Sequence, residues 1–238
     1  MTISGQNLTS QNLGQILTAN SAIDLNMNGT VTLDAAVSSG GGSFESDGTT
    51  FSNSQSIDTD GGTVTLNHSG AVTFSGTVDS SGGTGTVSVN GSSTVDIDNS
   101  ITSGTGGFSI ADTAGTVSLN GAITTGSGGD LSFGANPIVV ESSKTIEAGG
   151  SGNITFGSTL DGDGDADTLT ITSGTGTVTA SGAIGGTNGL GGLQVTSTSG
   201  TITFSSTIDD TNDVGSTINV NAGLSLIHIS EPTRPSQI

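Results

Sequence analysis

The chain has 238 residues and a formal net charge of −19, from 21 acidic residues against two basic ones. That balance repels phosphate backbones and anionic lipid surfaces, so neither nucleic acid nor membrane insertion is expected. Hydrophobic residues make up 30% and aromatics 3%, all seven of them Phe, with 41 Gly and no Cys, which argues against a disulfide framework, thiol chemistry and a thick aromatic core.

The opening stretch, MTISGQNLTSQNLGQ, has neither a basic region nor an apolar run and does not read as a signal peptide. Residues 1–22 are read as an irregular N-terminal segment or cap, and the export signal of a secreted protein would lie outside this sequence. No stretch approaches the length of a membrane-spanning helix.

From Ile23 onward a pattern sets in. VTLNHSGAVTFSGTV places apolar residues at Val64, Leu66, Val72, Phe74 and Val78. VSVNGSSTVDIDNSI repeats it at Val87, Val89, Val95, Ile97 and Ile101, and FSIADTAGTVSLNGAI at Phe108, Ile110, Val117, Leu119 and Ile123. Each unit holds two apolar–polar–apolar triplets, a single apolar residue, and a Gly/Ser/Asp-rich break. Such short alternation predicts half-buried strands, and the Gly, Thr, Ser and Val content opposes helix. Further along, the segments from Leu169 and from Leu193 superimpose at a shift of 24, matching Leu169 with Leu193, Ile171 with Val195, Val178 with Ile202 and Ile184 with Ile208.

Unit starts are read at Ile23, Phe44, Val64, Val87, Phe108, Leu131, Ile146, Leu169, Leu193 and Ile218. The short step from Leu131 to Ile146, with Pro137 inside it, predicts a distorted coil. Repeats of about 20–25 residues indicate a solenoid. The expected fold is therefore all-β, a β-solenoid of about ten coils over residues 23–223, three short strands to a coil. At the ~4.8 Å strand spacing it would form a rod roughly 45–50 Å long. A tandem of β-sandwiches, the rival, would not repeat every 24 residues.

Units such as GTVSLNGAI, GNITFGSTL, GTVTASGAI and GTITFSSTI resemble the repeats of filamentous-haemagglutinin-like and autotransporter-type passengers of large bacterial surface proteins. The resemblance covers most of residues 20–223 and is one of pattern and composition. It implies a right-handed parallel β-helix serving as a stalk or adhesive rod, extracellular or on the bacterial cell surface. Its partners would be an extracellular surface or a glycan, with end-to-end stacking onto further coils.

Composition changes abruptly after Gly223. LSLIHISEPTR, from Leu224 to Arg234, carries the only Arg, and residues 224–238 resemble the conceptual translation of a sequencing adapter. The alternative is a genuine capping segment, since solenoids need atypical end units.

Candidate chemistry is sparse. In LDGDGDADTLTI the carboxylates of Asp161, Asp163, Asp165 and Asp167 alternate, a spacing that can wrap calcium. It matches the EF-hand loop only in part, because Ala166 and Thr172 stand where that loop needs Gly and Glu. The calcium-binding nonapeptide is also matched in part, at Gly162, Gly164, Asp167 and Leu169. The other reading is a solvated acidic corner. Calcium is thus the one cofactor considered, and none is required. Thr-x-Thr pairs at Thr30/Thr32, Thr63/Thr65, Thr177/Thr179 and Thr201/Thr203 resemble an ice-binding surface, but Thr is also a good outward strand residue, and Ser88, Asp96, Ser118 and Pro137 interrupt the series. Without the tail, Lys144 is the only strong base and His68 the only imidazole. His68, in NHSG, is read as an exposed turn residue with no triad partner. The pairs Asp58/Asp60 and Asp96/Asp98 offer nothing to separate two pKa values. No catalytic residue is assigned. A structural or adhesive shaft is the leading function, and a calcium-dependent carbohydrate- or surface-binding module the alternative.

Overall fold

The computed structural model describes residues 1–11, 14–111, 115–209 and 217–223; the tail at 224–238 lies outside the described residues. Among these residues there are strands and no helix, and the strands form three parallel sheets of ten, eight and ten strands. The chain runs across the first, second and third sheet in turn and then repeats. Ten passes across the first sheet make nine full turns from first to last, so the fold is a β-solenoid.

The ladder register shows why alternation wrote this fold. Along the first sheet Val64 pairs with Phe44 on one side and Val87 on the other, and Val87 pairs with Phe108. Along the third, Ile101 stands between Val78 and Ile123. At most steps apolar residue sits on apolar residue, so alternate side chains point into one column. The buried residues form a single cluster running from Ile16 to Phe204. A column a few side chains thick is continuous along the stack, which is how 30% hydrophobic residues suffice.

All four residue matches at a shift of 24 are ladder partners: Leu169 with Leu193, Ile171 with Val195, Val178 with Ile202 and Ile184 with Ile208. The phase of the units, however, needs correction. Ile146, Leu169, Leu193 and Ile218 lie on the third sheet, whereas Ile23, Phe44, Val64, Val87, Phe108 and Leu131 lie on the first. The first-sheet partner of Leu131 is Ile154, 23 residues on, so that coil has ordinary length and is not distorted. Pro137 fits because it immediately precedes the strand Ile138–Val140 and only its carbonyl is used, accepting from Val117 N at 2.8 Å.

Residues 1–22 also contribute to the ladders. Thr2–Gly5 pairs with Ile23–Met27, Leu8–Thr9 with Val31–Leu33, and Gln15–Leu17 with Ala36–Ser38. This first coil is the more exposed one, with Leu17 63% exposed. At the other end the second sheet stops at Leu160–Gly162, and Ile184 and Ile208 continue it only as single bridges. The glycine-rich run at 185–191 lacks the alternation that would extend a strand there.

Corners are tight. Gly61 turns with φ +91°, and a Cβ there would fall well inside contact distance of the Gly82 carbonyl in the next coil.

Candidate functional site

The acidic loop is built on the last strand of the second sheet. Asp161 lies in Leu160–Gly162, opposite Val139 of the preceding coil, and is only 9% exposed. Its Oδ1 accepts from Thr187 N at 2.9 Å, while Gly162 N donates to Asn188 O at 3.0 Å, so the 185–191 loop is tied down across it. Asp163 Oδ1 accepts from Asp165 N at 3.0 Å, an Asx-type turn. Asp167 Oδ1 accepts from the Ser143 hydroxyl at 3.1 Å, and Ser143 Oγ in turn accepts from Thr168 N. Three of the four carboxylates thus have separate partners in three directions. Among the described residues no three His, Asp or Glu side chains gather where they could hold a metal ion.

Of the other acidic pairs, one closes a turn and one bridges two coils. Asp58 Oδ1 accepts from Asp60 N. Asp96 and Asp98 accept from Thr73 and Ser75 of the coil before, at 3.4 and 3.3 Å. Ser and Thr hydroxyls of one coil thereby partner the carboxylates of the next, and the negative charge is spread along the outer faces. Asn67 does likewise on the first sheet, donating to Asp47 at 2.8 Å and accepting from Asn90 at 2.9 Å.

The Thr-x-Thr pairs do not share one face. Thr32 stands on the second sheet, whereas Thr65, Thr179 and Thr203 stand on the first. Between Thr65 and Thr179 the outward row reads Ser88, Ser109, Ser132 and Thr155.

His68 is not an exposed turn residue. It ends the strand Val64–His68 with its side chain inward, 1% exposed, and its ring lies 5.4 Å from that of Phe51. Nε2 sits 3.1 Å from Ser46 Oγ, and Nδ1 is buried with no hydrogen-bond partner. Burial pulls its pKa down to about 4, against the smaller upward pulls of the Asp47 charge and of Ser46. A serine beside an imidazole is half of a hydrolytic constellation, but this pair lies inside the column, and no carboxylate orients Nδ1.

One built feature escaped the sequence reading: a row of buried hydroxyls inside the corner that follows the third sheet. Ser39, Thr59, Ser80, Ser103, Thr125, Ser173 and Ser197 occupy it in successive coils, with Ala148 the exception. Most donate to a glycine carbonyl of the turn: Thr59 to Gly62 at 2.5 Å, Thr125 to Gly129 at 2.6 Å, Ser173 to Gly152 at 3.0 Å and Ser197 to Gly176 at 2.9 Å. Ser39 donates to Gly42 in the same manner. Ser39, Thr59 and Thr125 thereby close their own turns, while Ser173 and Ser197 reach back to the turn of the preceding coil.

No protein-family model, curated protein or solved structure matches the chain. No described helix is long and apolar enough to cross a membrane.

Proposed function

We propose that the chain is part of the structural and adhesive shaft of a large secreted or cell-surface bacterial protein, and that it performs no catalysis. The observation that carries this reading is the unbroken column. One core and two ladders run the length of the described chain, with a third along most of it, and several of the polar side chains bond from coil to coil. The resemblance of units such as GTVSLNGAI and GTITFSSTI to adhesin passenger repeats supports the same reading.

The mechanism is geometric. Parallel ladders make extension cost many backbone hydrogen bonds, and stacking gives each coil a partner above and below. The acidic, Ser/Thr-rich exterior keeps rods apart and soluble. Its outward rows are the surface on which an extracellular partner or glycan would be met. Calcium is not required; on this reading residues 163–167 are a solvated acidic corner, and Asp161 is buried against Thr187 N.

Antibodies raised against the chain test the proposal by immunogold microscopy on intact cells that carry the gene. Gold beads outside the envelope, removed by protease treatment of whole cells, are expected. Labelling confined to the cytoplasm of permeabilised cells would overturn it.

A further inference from the structure

The row of the first sheet that contains His68 is unlike its neighbours. Gly5 pairs with Met27 and Gly48 with His68, and continuing the ladders places Gly48 beside Met27 and Gly91 beside His68. Reading along the stack, the corner runs Gly5, Met27, Gly48, His68, Gly91, so each large side chain is flanked by glycines. The spacing is needed: a Cβ on Gly48 would lie 3.1 Å from His68 Cε1 and 3.2 Å from Nδ1, and would collide with the Gly29 carbonyl. Two further polar residues intrude on apolar rows close by. Ser46 stands between Leu25 and Leu66, and Asn53 between Leu33 and Phe74; both are buried. At this joint the column is polar, and the imidazole is held by one serine and one phenylalanine ring.

We propose that His68 is an acid-sensitive joint in the coil stack: protonating its buried imidazole opens the corner between Phe44–Gly48 and Val64–His68 while the rest of the rod stays paired.

A neutral ring fits the site when Nε2–H donates to Ser46 Oγ, because only an acceptor lone pair is then left unpaired at Nδ1. A charged ring does not, since the second N–H would be buried without an acceptor. Asp47, whose charge acts on the ring, and Glu45 are the titratable groups of the facing strand. They are outward residues, and Asn67 donates to both, at 2.8 and 3.3 Å. Phe51–Asn53, Val64–His68 and Thr86–Asn90 carry no other titratable group. The folded pKa, about 4, lies below the ordinary 6.5. The opened form therefore takes up the proton first. Stability at the joint is complete above pH 6.5 and is lost progressively as pH falls toward 4.

The test is amide hydrogen exchange on the full chain at pH 7 and pH 4.5, corrected for intrinsic rates, in wild type and His68→Phe. In wild type, protection at Thr65, Leu66 and Asn67 should fall by about 50- to 100-fold relative to Ile123 and Thr124. His68→Phe keeps a ring on Phe51 and both outer carboxylates, and its two regions should respond alike. Equal loss in the variant would assign the effect to the carboxylates and overturn the proposal. Should the variant not fold, the wild-type imidazole is titrated by NMR: a midpoint below 5 supports the joint, and one above 6 overturns it.

Discussion

The rings of Phe133 and Phe156 stack face to face across adjacent coils, their centroids 5.1 Å apart and their planes 10° from parallel. Phe108 meets the other side of Phe133 at 5.7 Å, tilted by 58°. All three rings are buried, and they pack in series across consecutive coils of a thin column. Truncating the middle ring should therefore leave a hole that its neighbours, fixed by their own ladders, cannot close. Phe133→Ala is expected to cost about 3–5 kcal/mol, read as a drop in the urea midpoint. A loss below about 1 kcal/mol would mean that the column repacks freely.

Corner geometry makes a second expectation. Gly61 has a left-handed backbone, and its Cα faces the Gly82 carbonyl of the next coil. Gly61→Ala meets both obstacles, so it should destabilise by more than the roughly 1 kcal/mol by which a compatible glycine replacement stabilises. Gly83, also left-handed but with open space around it, is the control, since only the conformational part applies there. Thermal melts of the two variants should separate clearly, and equal melting points would contradict the close approach.

The hydroxyl row makes a third. Thr59→Val preserves shape while removing the donor to the Gly62 carbonyl. A loss of about 1–2 kcal/mol is expected. Ser80 and Ser103 make no such bond, so Ser80→Ala should be nearly neutral. Chemical denaturation of the two variants side by side separates hydrogen bonding from simple burial.

The acidic corner is tested by Asp163→Asn. The amide oxygen can still accept from Asp165 N, so the turn survives and one repulsive charge is removed. Stability should change by no more than about 0.5 kcal/mol. Calcium at millimolar concentration should shift the melting temperature of both proteins equally. A calcium-dependent gain in the wild type that the variant lacks would instead mark a specific site.

Much of this was legible in the sequence, and the failures share a cause. Leu169 with Leu193 and Val178 with Ile202 could be paired from spacing alone, because inward ladder partners are mostly apolar alike. Which sheet they belong to could not be read, since a strand such as Val178–Ala180 on the first sheet and one such as Val95–Ile97 on the second have the same apolar–polar–apolar form. Hence Ile146 was read as the start of a unit when it belongs to the end of one. His68 was misjudged because Asn, Ser and Gly around it look like a turn. Its parity with Val64 and Leu66 was the better signal, for residues i, i+2 and i+4 of a strand face one way. The same parity would have exposed the hydroxyl row, each member lying two residues after an inward Val or Ile. Polarity argued for solvent at those positions, and the corner carbonyls outweighed it.

The stacked register is the claim on which everything else depends, and the absence of native cysteine makes it directly measurable. Thr102 and Thr124 are outward partners in adjacent coils of the third sheet, and Glu147 is the next in the same row. Cysteine pairs placed at 102 and 124, and separately at 102 and 147, are oxidised under native conditions. Strands ~4.8 Å apart bring the first pair within disulfide reach, while two coils put the second at about twice that distance. Rapid cross-linking of 102 with 124 and none of 102 with 147 is the predicted result. Failure of the first pair, or equal reaction of both, would contradict the solenoid and the shaft built on it.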